Sequence, residues 1–159
     1  MSATADDGRP GFELPLLLLA GFRALIDELH AELARQGHPH VRPVHGFAMQ
    51  AIGPGGATAS EVGRRLGVSK QAAGKTIDRL EELGYAERVD DPADGRRKLV
   101  RLTGRGIDSL DRSAVIFDGL RARWAAALGP GRLADLEDAL RTMVPAGLGV
   151  DAVSWLAGG

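Results

Sequence analysis

The sequence predicts a mainly α-helical fold with one small β-wing, and three observations carry that prediction. Apolar residues recur at spacings of three and four on both sides of residues 58–103, the pattern of amphipathic helices. Inside that stretch, two short helical patterns are separated by Leu66-Gly67-Val68, where the glycine suits a left-handed corner. Directly after them, YAERV and RKLVRLT alternate like strands around Pro92 and Asp94-Gly95, which supply turn chemistry. With 159 residues, the chain is long enough for one domain with a helical extension.

Composition narrows the function. Hydrophobic content is 44% and charged content 26%, ordinary for a globular protein. No run reaches the roughly 18 apolar residues of a membrane span, and Pro15 interrupts the apolar cluster Leu14–Ala20. The first residues lack a secretory signal's pattern, so a cytoplasmic location is expected. Zero cysteines exclude disulfides, thiolate metal sites and thiol redox sensing. Net charge is −1, yet residues 64–105 hold 11 of the 20 Lys/Arg and 7 of the 21 Asp/Glu. That basic island in an acidic frame suits local contact with a polyanion.

Taken in order, residues 1–11 read as a small, polar tail. Leu18, Phe22, Leu25/Ile26, Leu29 and Leu33 then mark a helix stopped by Gly37 and Pro39. Its first turns are apolar nearly all round, which predicts a second covering surface. Another subunit would serve, and so would the chain's own C-terminal helices. Pro43 opens the next helix, with Val44, Phe47, Ala48, Ala51 and Ile52 as its expected apolar face, ended by Gly53-Pro54-Gly55-Gly56. His30, His38, His40 and His45 fall close together but show no i, i+4 pair, so loop polarity and capping are expected rather than a metal.

Thr58 and Glu61 have the spacing of a capping box, and the helix they begin turns Val62 and Leu66 inward. Gly63 marks a close approach, and Val68 is expected to plug the corner. Ser69 caps the next helix, which ends at Gly84. Projected at about 100° per residue, Ala73, Ile77 and Leu80 share its inner face. Gln71, Gly74, Lys75 and Asp78 share the outer face, flanked by Lys70 and Arg79. Short polar residues let a helix enter a major groove, where Gln can bond an adenine edge and Lys can reach guanine or phosphate. Glu81 and Glu82 should then tilt away from the DNA.

The hairpin is crowded by Arg88, Arg96, Arg97, Lys98 and Arg101, and a basic tip of this kind can lay an arginine in a minor groove. Asp94 is read as the partner that orients Arg96, or as a turn former. Placed one residue after a helix–turn–helix, the hairpin completes a winged helix. Thr103 caps a long helix to about Leu128, whose expected stripe is Ile107, Leu110, Ala114, Phe117, Leu120/Arg121, Trp124 and Leu128. After Gly129-Pro130-Gly131 comes a helix with Leu133, Leu136, Leu140 and Val144 on one side. Val150, Val153 and Leu156 suggest a last turn packed on a partner.

EVGRRLGVSKQAAGKTIDRLEELGYAERVDDPADGRRKLVRLTGRG resembles the winged helix of the multiple antibiotic resistance regulator (MarR) family, and Asp94-Gly95-Arg96 matches its D-x-R wing. The resemblance covers residues 12–145 in helix order and is tightest over 58–106. It implies a homodimeric transcription regulator, more often a repressor, whose two winged helices straddle a pseudo-palindromic duplex site. On that basis the chain divides into a disordered tail (1–11), an N-terminal dimerisation helix (12–37), a winged helix-turn-helix DNA-binding domain (40–104) and C-terminal dimerisation helices (105–159). The implied DNA contacts are Ser69, Lys70, Gln71, Lys75 and Arg79 on the helix, with Arg96 in the minor groove braced by Asp94 and with Arg97 and Lys98 near the backbone. The pair Ala73-Gly74 departs from relatives that carry a hydroxyl residue there, which puts one phosphate contact in doubt.

Many relatives release DNA when a small, often phenolic or anionic ligand enters the crevice between the dimer helices and the winged helix. Here Arg23, His30 and Arg42 could meet an anion, and the crevice would lie among the first helix, the segment near His45 and the start of the helix after Thr103. No cofactor is implied. The alternative reading is a winged-helix adaptor that binds protein without specific DNA binding. No Ser/His/Asp order, phosphate loop or paired carboxylate points to an enzyme, and GPGGAT lacks the lysine of a nucleotide site.

Overall fold

In a computed structural model of the chain, residues 8–144 are described. Six helices and one antiparallel hairpin follow in the order α1 (Glu13–Arg35), α2 (Pro43–Ile52), α3 (Ala59–Leu66), α4 (Lys70–Glu82), β1 (Ala86–Asp90), β2 (Lys98–Leu102), α5 (Gly104–Leu128) and α6 (Arg132–Met143). The fold is mainly helical, with a winged helix-turn-helix between long flanking helices. The sequence expectation at Val150, Val153 and Leu156 lies outside the described residues.

Local chemistry sets each boundary of the central unit. The Thr58 backbone N–H donates to Glu61 Oε2 (2.7 Å), while the Glu61 N–H donates to Thr58 Oγ1 (3.3 Å). Two orphan donors of α3 are thereby satisfied reciprocally. Gly67 ends α3 at φ 69°, ψ 30°, a left-handed conformation that a side chain would resist. A Cβ on Gly63 would stand 2.9 Å from the Val68 carbonyl, so this glycine lets the turn fold back on α3. Ser69 Oγ accepts the Ala72 N–H (3.1 Å) to start α4. Thr103 Oγ1 accepts the Gly106 N–H (3.2 Å) and donates to the Gly84 carbonyl (2.6 Å), stitching α5 to the end of α4.

One core joins these elements. Leu29 and Leu33 of α1 meet Met49 and Ile52 of α2, and Val62, Ile77 and Leu80 carry it through the helix–turn–helix. The hairpin adds Ala86 and Val100, and Ala57 pairs across Val100 by an isolated bridge that ties the α2–α3 loop to the wing. Strand register is Ala86↔Leu102 through Asp90↔Lys98.

Four sequence expectations are corrected. On α2, Ala48, Ala51 and Ile52 are buried as expected, but Val44 and Phe47 are exposed while His45 and Met49 are buried, so the face is partly rotated. At the cap, the Arg42 N–H donates to His45 Nδ1 (3.1 Å), and the imidazole is buried. On α5, Ile107 is exposed and the buried line runs Gly106, Ser109/Leu110, Ser113 and Leu120. There α5 crosses so near Tyr85 that a Cβ on Gly106 would lie 2.2 Å from its carbonyl oxygen, and close approach outranks hydrophobicity. Val68 is exposed and does not fill the corner. Finally, Leu136 of α6 is exposed, and Leu133 is the one α6 residue in the buried class.

Candidate nucleic-acid interface

The cap of α3, the first turns of α4 and the hairpin face one another across an open groove of about 720 Å³. Lys70, Gln71 and Gly74 line it from α4, and Arg96, Arg97 and Lys98 from the wing. Thr58, Ala59 and Ser60 close the remaining side with the start of α3, where helix dipole and free amides favour an anion. Sequence reasoning missed Ser60 and placed Arg88 on the hairpin without seeing that it reaches this groove. An exposed Ser two residues after a cap was the available signal for the first.

Of the nine residues expected to meet DNA, five line the groove and four stand otherwise. Ser69 is engaged at the helix start as the cap of α4. Lys75 is exposed on α4 outside the groove lining. Arg79 is turned to Glu82 (2.8 Å). Asp94 Oδ1 accepts the backbone N–H of Arg96 (3.1 Å), so it shapes the turn and orients Arg96 through the main chain. Asp91 acts alike on Ala93 (2.9 Å), giving the wing tip two successive side-chain-closed turns. As for the doubtful pair, Ala73 is buried in the core and only Gly74 reaches the groove.

Charge pairing sorts the cations further. Arg88 bridges to Asp78 (2.8 Å) and Glu81 (2.6 Å), tying β1 to α4. Arg101 pairs with Glu87 across the hairpin, and Lys98 with Asp90, whose carboxyl that ammonium holds below its ordinary range. Lys70, Lys75, Arg96 and Arg97 make no ion pair among the described residues. Beside the groove, the hydrogen bond from the Thr58 backbone lowers the pKa of Glu61. The positive charge available to a ligand is therefore concentrated at the α4 start and the wing tip. Glu81 and Glu82 are both occupied by arginines.

The histidines do other work. His30 Nδ1–H donates to the Ile26 carbonyl (2.7 Å), and His38 and His45 are buried in hydrogen bonds. Burial lowers the pKa of His45 from 6.5, keeping it neutral and able to accept. Among the described residues, no three His, Asp or Glu side chains converge as metal ligands. Among them, too, no helix is long and apolar enough to cross a membrane.

Residues 47–97 match the model of the MarR family. No curated protein matches the sequence. Solved structures match more broadly. Streptococcus pneumoniae FabT in complex with DNA is 18% identical with a TM-score of 0.72, over 84% of this chain and 94% of that one. The PcaV transcriptional regulator from Streptomyces coelicolor, in complex with its natural ligand, is 24% identical with a TM-score of 0.60, over 89% and 96%. A mutant of MarR from E. coli complexed with operator DNA is 23% identical with a TM-score of 0.66, over 84% and 94%. The segment 47–97 thus resembles the MarR-family model, in a chain that shares its fold with the MarR mutant from E. coli.

Proposed function

We propose that the protein is a sequence-specific DNA-binding transcription regulator that acts as a homodimer on a pseudo-palindromic site, most simply as a repressor. The observation that carries this reading is the groove between α4 and the wing, whose Lys70, Arg96 and Arg97 form no ion pair among the described residues. In this reading α4 enters a major groove through Gln71 and the bare backbone at Gly74, while Arg96 lies in the neighbouring minor groove. Lys75 and Lys98 then meet phosphate, Lys98 by exchanging Asp90 for the nucleic acid. Ser69 and Asp94 support the reading elements without direct contact, and Arg79 must leave Glu82 to contribute. The regions 12–37 and 105–159 would hold the two chains in register. DNA complexes of FabT and of the MarR mutant support the choice of ligand over a protein partner.

The test is a duplex-binding titration, in excess competitor DNA, with fragments flanking the protein's own gene across a salt series. Affinity should fall steeply with salt, because each neutralised phosphate releases counterions. Arg96→Ala should cost about 1–3 kcal/mol, chiefly at A·T-rich flanks, and Lys75→Ala should weaken all sequences alike. Equal binding by both variants and the parent would overturn the site. Reporter expression that rises on deleting the gene supports repression, and expression that falls identifies an activator.

A small aromatic or anionic effector is a second reading, favoured by the PcaV complex with its natural ligand. Exposed Arg23 and Arg42 have no ion pair among the described residues and remain the candidates for an anion, whereas the Nδ1 of His30 is already committed. A thermal-shift screen of aromatic carboxylates, repeated on Arg42→Ala, tests it.

A further inference from the structure

A polar knot centred on buried His38 and Tyr85 joins the end of α1 to the winged helix, and none of it lines the groove. His38 is 3% exposed. Its Nε2 stands 2.8 Å from Asp108 Oδ2 on α5, and its Nδ1 stands 3.0 Å from the hydroxyl of Tyr85. A carboxylate only accepts, so Nε2 carries a proton, and in the neutral imidazole the Nδ1 lone pair then receives the hydroxyl of Tyr85. Every polar atom of the imidazole is thereby used.

The two sides of that bond belong to different elements. The His38 N–H donates to the Leu33 carbonyl (2.8 Å), which makes the residue a continuation of α1. Tyr85 is fully buried at the α4–β1 junction; its N–H donates to Leu80 (2.8 Å) and its carbonyl accepts the Thr103 N–H (3.1 Å). Arg105 reinforces the crossing, lying 4.8 Å over the Tyr85 ring while it donates to the Gly37 carbonyl (3.1 Å). Arg112 repeats the pattern, donating to Asp108 (2.8 Å) and to Gln36 Oε1 (3.1 Å). Apolar surfaces between α1 and the reading head can slide with little loss. Directional hydrogen bonds inside a desolvated site cannot.

We infer that His38 and Tyr85 are positioning residues that hold the reading head at one angle to α1. The angle stands on geometry alone. Its consequence, a set spacing between two heads on DNA, rests on the function proposed above.

The experiment uses the full chain, which has no cysteines, so Ala24→Cys on exposed α1 and Ala93→Cys on the exposed wing accept one spin label each. Labelled chains are diluted in unlabelled ones, and the label-to-label distance distribution is read by double electron–electron resonance. The parent should give one narrow distribution. Tyr85→Phe removes only the hydroxyl and should broaden it while melting stays cooperative. His38→Gln should broaden it at least as much, because it also removes the bond to Asp108, and the double variant should be no broader than His38→Gln alone. A parent-like distribution in Tyr85→Phe overturns the inference, as does additive broadening in the double variant. So does a lower melting temperature with no broadening, which marks a merely structural bond. If Tyr85→Phe does not fold, His38→Gln against the parent decides alone. On duplexes whose half-sites are one base pair further apart, Tyr85→Phe should lose about tenfold of the parent's spacing preference. Should no duplex bind at all, the functional proposal fails while the label distances still decide the hinge.

Discussion

The winged helix and the first half of α1 are built to opposite standards. In the winged helix, Val62, Ala73, Ile77 and Leu80 are wholly enclosed, and each of α3, α4 and α5 begins on a capping hydroxyl. In α1, Leu14, Leu16, Leu17 and Leu19 are each more than half exposed, with Leu17 at 61%. The apolar surface continues onto α2, where Phe47 stacks on Phe22 at 6.5 Å and both rings face outward. A reading head complete in one chain, carried on a flank that is not, teaches that the flank's missing partner is a second surface. Neither α5 nor α6 covers it. In the homodimer proposed above, a second copy would cover this face.

The largest expected effect breaks the flank alone. Leu18→Glu with Phe22→Glu puts two charges on one exposed face of α1, and burying each apolar side chain is worth about 1.5–3 kcal/mol. Sedimentation should show monomers whose winged helix keeps its circular-dichroism signal, and persistence of the dimer would refute the flank's role. Next, Ile77→Ala breaks the head from within. It should cost about 2–5 kcal/mol in urea unfolding, whereas Val115→Ala at an exposed α5 position should stay within about 0.5 kcal/mol. A smaller effect comes from Thr58→Ala, about 1 kcal/mol, with Thr58→Ser close to the parent because the hydroxyl is retained.

The smallest effect concerns pH. Burial lowers the pKa of His45 in the folded state below 6.5, so the unfolded chain takes up the proton first. The stabilisation from neutral His45 is therefore complete above pH 6.5 and is lost as pH falls toward the folded value. Protonation also removes the Nδ1 lone pair that accepts the Arg42 amide. Denaturation midpoints should decline in that window for the parent, and His45→Asn should flatten the decline.

Legibility in the sequence follows the same division. Thr58, Gly67, Ser69 and Thr103 announce their roles because caps and left-handed corners are decided within four residues. The burial of Ala73, Ile77 and Leu80 follows from helix periodicity alone. Long-range geometry was illegible. Gly106 occupies the inner line of α5 because Tyr85 stands against it, a neighbour 21 positions earlier that periodicity cannot see. Counting charges likewise made Arg88, Lys98 and Arg101 equal to Arg96, although their acidic partners on α4 and β1 occupy them. His38 read as loop polarity, and its two partners lie 47 and 70 residues away.

One measurement meets the central claim, that two complete heads on an incomplete flank read one DNA site, most directly. Hydroxyl-radical footprinting on the strongest-binding fragment should show two protected patches about 10 base pairs apart, centre to centre, related by a pseudo-twofold axis. Leu18→Glu/Phe22→Glu should abolish both together. A single protected patch, or two that survive in that variant, would contradict the account.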